Sequence, residues 1–146
     1  MNESIEVRET VVRFYDRLSA GDVEGTAATI ADDPAAFVIG TQRIGEGREA
    51  WLASVRENAE FGVAFEAGTI RAWAAGDMGW AVDEPTIVIP GGPRLTTRMT
   101  AVLRRDPDGA FRLLHQHYSW AVPDEVGMEH AQTWREQLGL LPVPPA

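Results

Sequence analysis

The chain has 146 residues, 45% of them hydrophobic and 24% charged, a balance that fits one globular domain burying roughly 68–70% of its unfolded surface. Its 22 acids against 13 bases give a formal net charge of −9, a field that repels phosphate backbones and anionic lipid, so neither nucleic acid nor membrane is expected as a partner. Every base is Arg and Cys is absent, which excludes Schiff-base lysines, thiolate nucleophiles, disulfides and Cys-ligated metals.

In chain order, the pattern starts with an amphipathic helix over 4–20. Val7, Val11, Phe14 and Leu18 recur at helical spacing on one stripe, widened by Ile5, Val12 and Tyr15. Gly21 suits the left-handed residue after a helix end, and Asp22 can cap a short second helix. Val23, Ala27 and Ile30 mark that helix, which Asp32-Asp33-Pro34 stops. A brief strand is predicted over 36–40. Gly45 to Gly47 then lead into a third helix over 48–59, with Trp51, Leu52, Val55 and Ala59 on its buried side.

From Phe61 the period shifts toward two. Runs at 62–75, 78–89, 94–105 and 110–122 are separated by Gly76-Asp77, by Pro90-Gly91-Gly92-Pro93 and by Asp106-Pro107-Asp108-Gly109. Those are hairpin-type connections, so the strands should be sequential and antiparallel. Pro85 has no N–H to give a ladder and belongs at a bulge or an unpaired edge. Pro123-Asp124-Glu125 restarts a helix carrying Val126, Ala131, Trp134 and Leu138. The whole reads as a single domain over 1–140 with a loosely attached, proline-rich tail at 141–146. Helices first and a meander after describe an α+β fold: a cone-shaped, curved antiparallel sheet with three helices of the N-terminal half over its concave face and a short C-terminal helix. No basic segment leads an apolar stretch at the N-terminus, and no apolar run approaches the ~20 residues of a bilayer span. A cytoplasmic location is expected.

Five segments carry a family resemblance: FYDRLSAGD (14–22), IADD (30–33), EGREAW (46–51), AGDMGWAV (75–82) and FRLLHQHYSW (111–120). Together they resemble the nuclear-transport-factor-2-like superfamily, particularly its SnoaL-like and ketosteroid-isomerase-like members. The resemblance spans nearly the whole chain and implies a pocket inside the cone. It does not fix an activity, because one fold of this kind hosts many chemistries. The catalytic pattern of ketosteroid isomerase is not matched: its base falls at Val38, its helix tyrosine at Phe14 with Tyr15 one place off, and its protonated aspartate at Ala101. A base and donors for the enolate are what that reaction needs, and all three positions are apolar.

In the last strand, alternation puts His115, His117 and Ser119 on one face and Leu114, Gln116, Tyr118 and Trp120 on the other. The resemblance implies that the second set faces the pocket. By the same register Trp80, Val82 and Glu84 point inward from the second long strand, and Thr97, Met99, Ala101 and Leu103 from the third. The expected pocket is lined by Trp80, Met99, Gln116, Tyr118 and Trp120, with Phe14 and Trp51 from the covering helices. That composition suits an apolar, cyclic, neutral or cationic small molecule held without any cofactor; the alternative is a plain hydrophobic core. Glu84 and His117 are the candidate acid/base residues. Glu84 would gain a raised pKa in an apolar pocket, and imidazole titrates near neutrality. Against these stand a solvated Glu84 and a His115/His117 pair that is either hydrogen-bonded at an interface or ligates a metal with Asp83, Glu129 or His130. Arg98, Arg104 and Val102 share the outward face with the two histidines, where a homodimer through the sheet is expected. Two functions remain open: a small-molecule pocket, with or without isomerase-, lyase- or hydrolase-type chemistry, and a non-catalytic association module with an incidental cavity.

Overall fold

Ser4 sets the start of the first helix, its hydroxyl accepting from the Val7 N–H at 3.3 Å. Helix α1 runs over Ile5–Ser19 and buries Val7, Thr10, Val11, Phe14, Tyr15 and Leu18, whereas Ile5 is exposed. Gly21 takes φ +70°, and Asp22 caps α2 (Val23–Ala27) by accepting from the Gly25 N–H at 2.8 Å. Helix α3 (Arg48–Glu60) buries Trp51, Leu52 and Val55. Helix α4 spans Asp124–Gln137. The computed structural model describes residues 2–41, 44–120 and 123–137, with the backbone alone at 131–132 and 134–137. Leu138 and the tail at 141–146 therefore lie outside the described residues, as do the side chains of Ala131 and Trp134. No helix among the described residues is long and apolar enough to cross a membrane.

The described residues form nine strands, of which the last six in chain order subdivide the predicted meander. They are β1 (Asn2–Glu3), β2 (Phe37–Ile39), β3 (Ile44–Glu46), β4 (Ala64–Glu66), β5 (Arg71–Ala75), β6 (Met78–Asp83), β7 (Thr86–Val88), β8 (Arg94–Arg105) and β9 (Phe111–Trp120). The predicted runs at 62–75 and 78–89 each break in two. Glu84-Pro85 divides the second, and the Pro85 carbonyl accepts from both the N–H (3.0 Å) and the hydroxyl (3.1 Å) of Thr97. The sheet order is β1-β5-β6-β8-β9-β2-β3, with β4 on β7 and β7 on β8. Among the described strands the pairings are antiparallel except β2 with β9, which run parallel in the register Phe37↔His115, Val38↔Gln116 and Ile39↔His117.

The fold is thus α+β, a large curved, unclosed sheet with helices on its inner side. Helix α1 lies on β4, β5, β6 and β9, while α3 packs on α1, α2, β2 and β3. Between Val102 and Leu103 the β8–β9 register shifts, leaving Leu114 as an extra residue on β9. This bulge keeps Phe111 and Leu113 inside on one stretch and Gln116 and Tyr118 inside on the next. It also corrects the simple alternation for Leu114, which is only half-buried while Leu113 takes the interior position.

Candidate functional site

Residues paired directly across an antiparallel ladder share a face, so the register defines what the helices meet. One inner row reads Ala81–Ala101–Gln116–Val38, and its neighbour reads Asp83–Met99–Tyr118. The corresponding outer row is Trp73–Trp80–Val102–His115–Phe37.

Where α3, β3, β4 and β7 close over the Gln116 end of the inner face, a cavity of about 600 Å³ remains. Trp51 and Phe14, with ring centroids 6.4 Å apart, form part of its wall. Phe65 continues it, edge-on to Tyr118 at 5.7 Å and stacked on Tyr15 at 5.7 Å. Trp120, 38% exposed, stands at the opening. The wall is mainly apolar, and its polar groups include Gln116, Tyr118, Ser54, Glu57 and Asn58. A volume of this size with a few convergent polar groups has the dimensions of a small-molecule site.

Gln116 is 0% exposed, and neither end of its carboxamide has a hydrogen-bond partner. The hydroxyls of Tyr15 and Tyr118 and Oδ1 of Asp83 are likewise buried without one. Asp83 is 5% exposed; its Oδ2 accepts from the Gly68 N–H at 3.2 Å. Only glycine permits that approach, since a Cβ at position 68 would lie 2.7 Å from the Glu84 carbonyl oxygen and 2.9 Å from Asp83 Oδ1. Burial raises the Asp83 pKa above the ordinary carboxylate value, against the lowering effect of the Gly68, Glu84 and Tyr15 donors. Burial also pushes both tyrosines up, Tyr15 further by the proximity of Tyr118 and Asp83. These three groups lie near enough to influence one another's ionisation. Burial thus favours the neutral form of all three groups relative to their solvated counterparts.

Of the residues expected from the sequence, Phe14, Trp51, Gln116, Tyr118 and Trp120 line the cavity. Met99 points inward as expected but is packed into the core and is not part of the cavity wall. Trp80 is a correction: it lies on the outer face, its ring stacked on Trp73 at 6.1 Å. The phase of β6 is one residue out from the expected one. Gly79, Ala81 and Asp83 face the helices, because a Cβ on Gly79 would already come within 2.5 Å of Val7 Cγ2 and only small residues fit beneath α1. Glu84 is accordingly exposed, and the interior carboxylate is Asp83. His117 is exposed on the outer face, as its alternation with Gln116 requires. His115 beside it places Nδ1 3.2 Å from the Phe37 carbonyl and its ring 4.3 Å from the Phe37 ring, and burial lowers its pKa. Glu84 and His117 are not brought together. Among the described residues no group of three His, Asp or Glu side chains could hold a metal ion. Arg104, expected on the outward face where a homodimer would form, donates to Asp33 (2.5 Å) and Asp106 (3.3 Å) within the chain.

A family model described as a SnoaL-like domain matches residues 7–124. Among solved structures, a proposed dehydratase of the nuclear-transport-factor-2-like family from Streptomyces avermitilis superposes with a TM-score of 0.72 at 22% identity, over 81% of this chain and 95% of that one. A proposed ketosteroid isomerase from Shewanella frigidimarina gives 0.68 at 14% identity, over 78% and 94%. A proposed calcium/calmodulin-dependent protein kinase type II association domain from Thiobacillus denitrificans gives 0.65 at 19% identity, over 79% and 94%. No curated protein matches the sequence. At these identities the structural likeness speaks for the fold alone.

Proposed function

This chain belongs to the SnoaL-like domain family, and on that premise we propose that it binds an apolar, cyclic, neutral or cationic small molecule. The observation that carries the reading is the cavity of about 600 Å³, walled by Phe14, Trp51 and Phe65 and floored by the unpartnered Gln116 and Tyr118. Aromatic faces supply non-polar contact area, and a few polar groups orient what enters. Acid/base chemistry of the isomerase, lyase or hydrolase kind is the finer part of the proposal. It falls to Asp83 and the tyrosines rather than to Glu84 or His117. Tyr118 lines the cavity, and burial that raises the Asp83 pKa above the ordinary carboxylate value suits a proton-holding group. A cytoplasmic location belongs to the same proposal.

A second reading, an association module, is favoured by one specific observation. The outer row Trp73–Trp80–Val102–His115–Phe37 crosses the sheet with only half-buried side chains, a face suited to a second copy of the chain. The two readings are compatible, since dimerisation through the outer face leaves the inner cavity free. Titration of naphthalene, followed by tryptophan fluorescence, tests the cavity reading. Binding that weakens about tenfold or more in Trp120→Ala, and is unchanged in Glu84→Gln and His117→Ala at any pH from 5 to 8, supports the cavity reading. Loss of binding in the Glu84 or His117 variants, with Trp120→Ala unaffected, contradicts it.

A further inference from the structure

We infer that the cavity selects a neutral ligand that presents a hydrogen-bond donor and an acceptor side by side on one planar edge, the N–H/C=O edge of a lactam or cis-amide, and docks that edge on the Gln116 carboxamide. The inference rests on the proposed binding role of the cavity and names what that cavity takes. Gln116 lines the cavity and is fully buried, with both Oε1 and Nε2 unpartnered. Its row neighbours on the inner face are Ala101 and Val38, which offer no polar side chain. A buried amide unsatisfied at both ends is costly, and the group that relieves it has to come from the cavity.

The chemistry of that group follows from the amide. A carboxamide edge offers an acceptor beside a donor, so its complement carries a donor beside an acceptor. Rotating the amide by half a turn exchanges the two positions and leaves the complement a donor–acceptor pair. A carboxylate only accepts, which leaves Oε1 facing an anion. Among the described residues of the cavity wall none is a cation, and Glu57 is an acid, so a charged carboxylate also has no counter-charge there. The faces of Phe14, Trp51 and Phe65 suit the flat ring on which a lactam edge is carried.

The test compares 2-quinolone with coumarin by isothermal titration. The two share ring system and carbonyl and differ only in a ring N–H replaced by oxygen. The native protein binds 2-quinolone about tenfold or more tightly than coumarin, because the lactone leaves Gln116 Oε1 without a donor. Gln116→Met, close in shape and apolar, removes the preference by weakening 2-quinolone alone. The native protein also reports directly, independent of how the variant folds: the Gln116 side-chain N–H resonances shift with 2-quinolone and stay in place with coumarin. Equal affinities in the native protein, or a preference that survives Gln116→Met, overturn the inference and leave the cavity a binding site. Failure of 2-quinolone, coumarin and naphthalene alike to bind overturns the binding role and the inference together.

Discussion

One inner sheet face serves two different purposes along the length of the same strands. At one end Leu103, Phe111 and Leu113 meet Val7 and Val11 of α1 in a closed core, with Gly79 small enough to admit Val7. Beyond the Leu114 bulge the same strand β9 presents Gln116 and Tyr118 to a cavity whose wall includes Trp51 of α3. The difference is one of helix approach. Small strand residues draw α1 down onto the sheet, whereas large aromatic side chains hold the wall of the cavity apart and leave polar groups with nothing to bond. Packing density sets stability at the first end, and unsatisfied polarity sets selectivity at the second.

The largest expected effect separates the two ends by stability. Leu103→Ala should lower unfolding free energy by about 2–5 kcal/mol, as for other buried leucines in close-packed surroundings. Gln116→Met at the cavity end should leave stability unchanged or raise it by about 1 kcal/mol, since it removes a buried group with no partner. Chemical denaturation of both variants measures the contrast, and equal losses would erase the distinction between core and cavity.

A smaller effect concerns pH. Burial raises the Asp83 pKa in the folded state, so the folded protein holds that proton more tightly than the unfolded chain. The associated stability is fully present below the unfolded carboxylate pKa and is lost as pH rises through the higher folded value. Asp83→Asn should therefore flatten the fall in stability as pH rises above the ordinary carboxylate range, measured as the midpoint temperature against pH. A steeper fall in the variant would show that the site favours the charged carboxylate.

Much of this division is legible in the sequence. The three turn clusters delimit the hairpins, alternation in FRLLHQHYSW separates Gln116 and Tyr118 from His117, and the family resemblance puts the first two inside; the bulge that displaces Leu114 is not visible in the pattern. The phase of β6 is where such reasoning fails. Trp80 attracts assignment to a pocket because it is large, yet small residues mark the inward face wherever a helix presses close. Reading Gly79 and Ala81 as helix contacts puts Asp83 in phase with them and Glu84 outside. Tyr15 is visible as one edge of the helical stripe, but its proximity to Asp83 and Tyr118 depends on three elements meeting, which no local pattern encodes. Strand β3 was hidden by its brevity, three residues centred on Gly45.

The central claim is that the Gln116 end of the inner face, and not the outer row, receives the ligand. It is tested most directly by following backbone and side-chain resonances while naphthalene is added. The account predicts shifts at Val38, Trp51, Gln116 and Tyr118, with Val7 and Leu103 in the closed core and Trp73 and Trp80 on the outer face unmoved. Shifts confined to Trp73, Trp80 and their outer-face neighbours would contradict it.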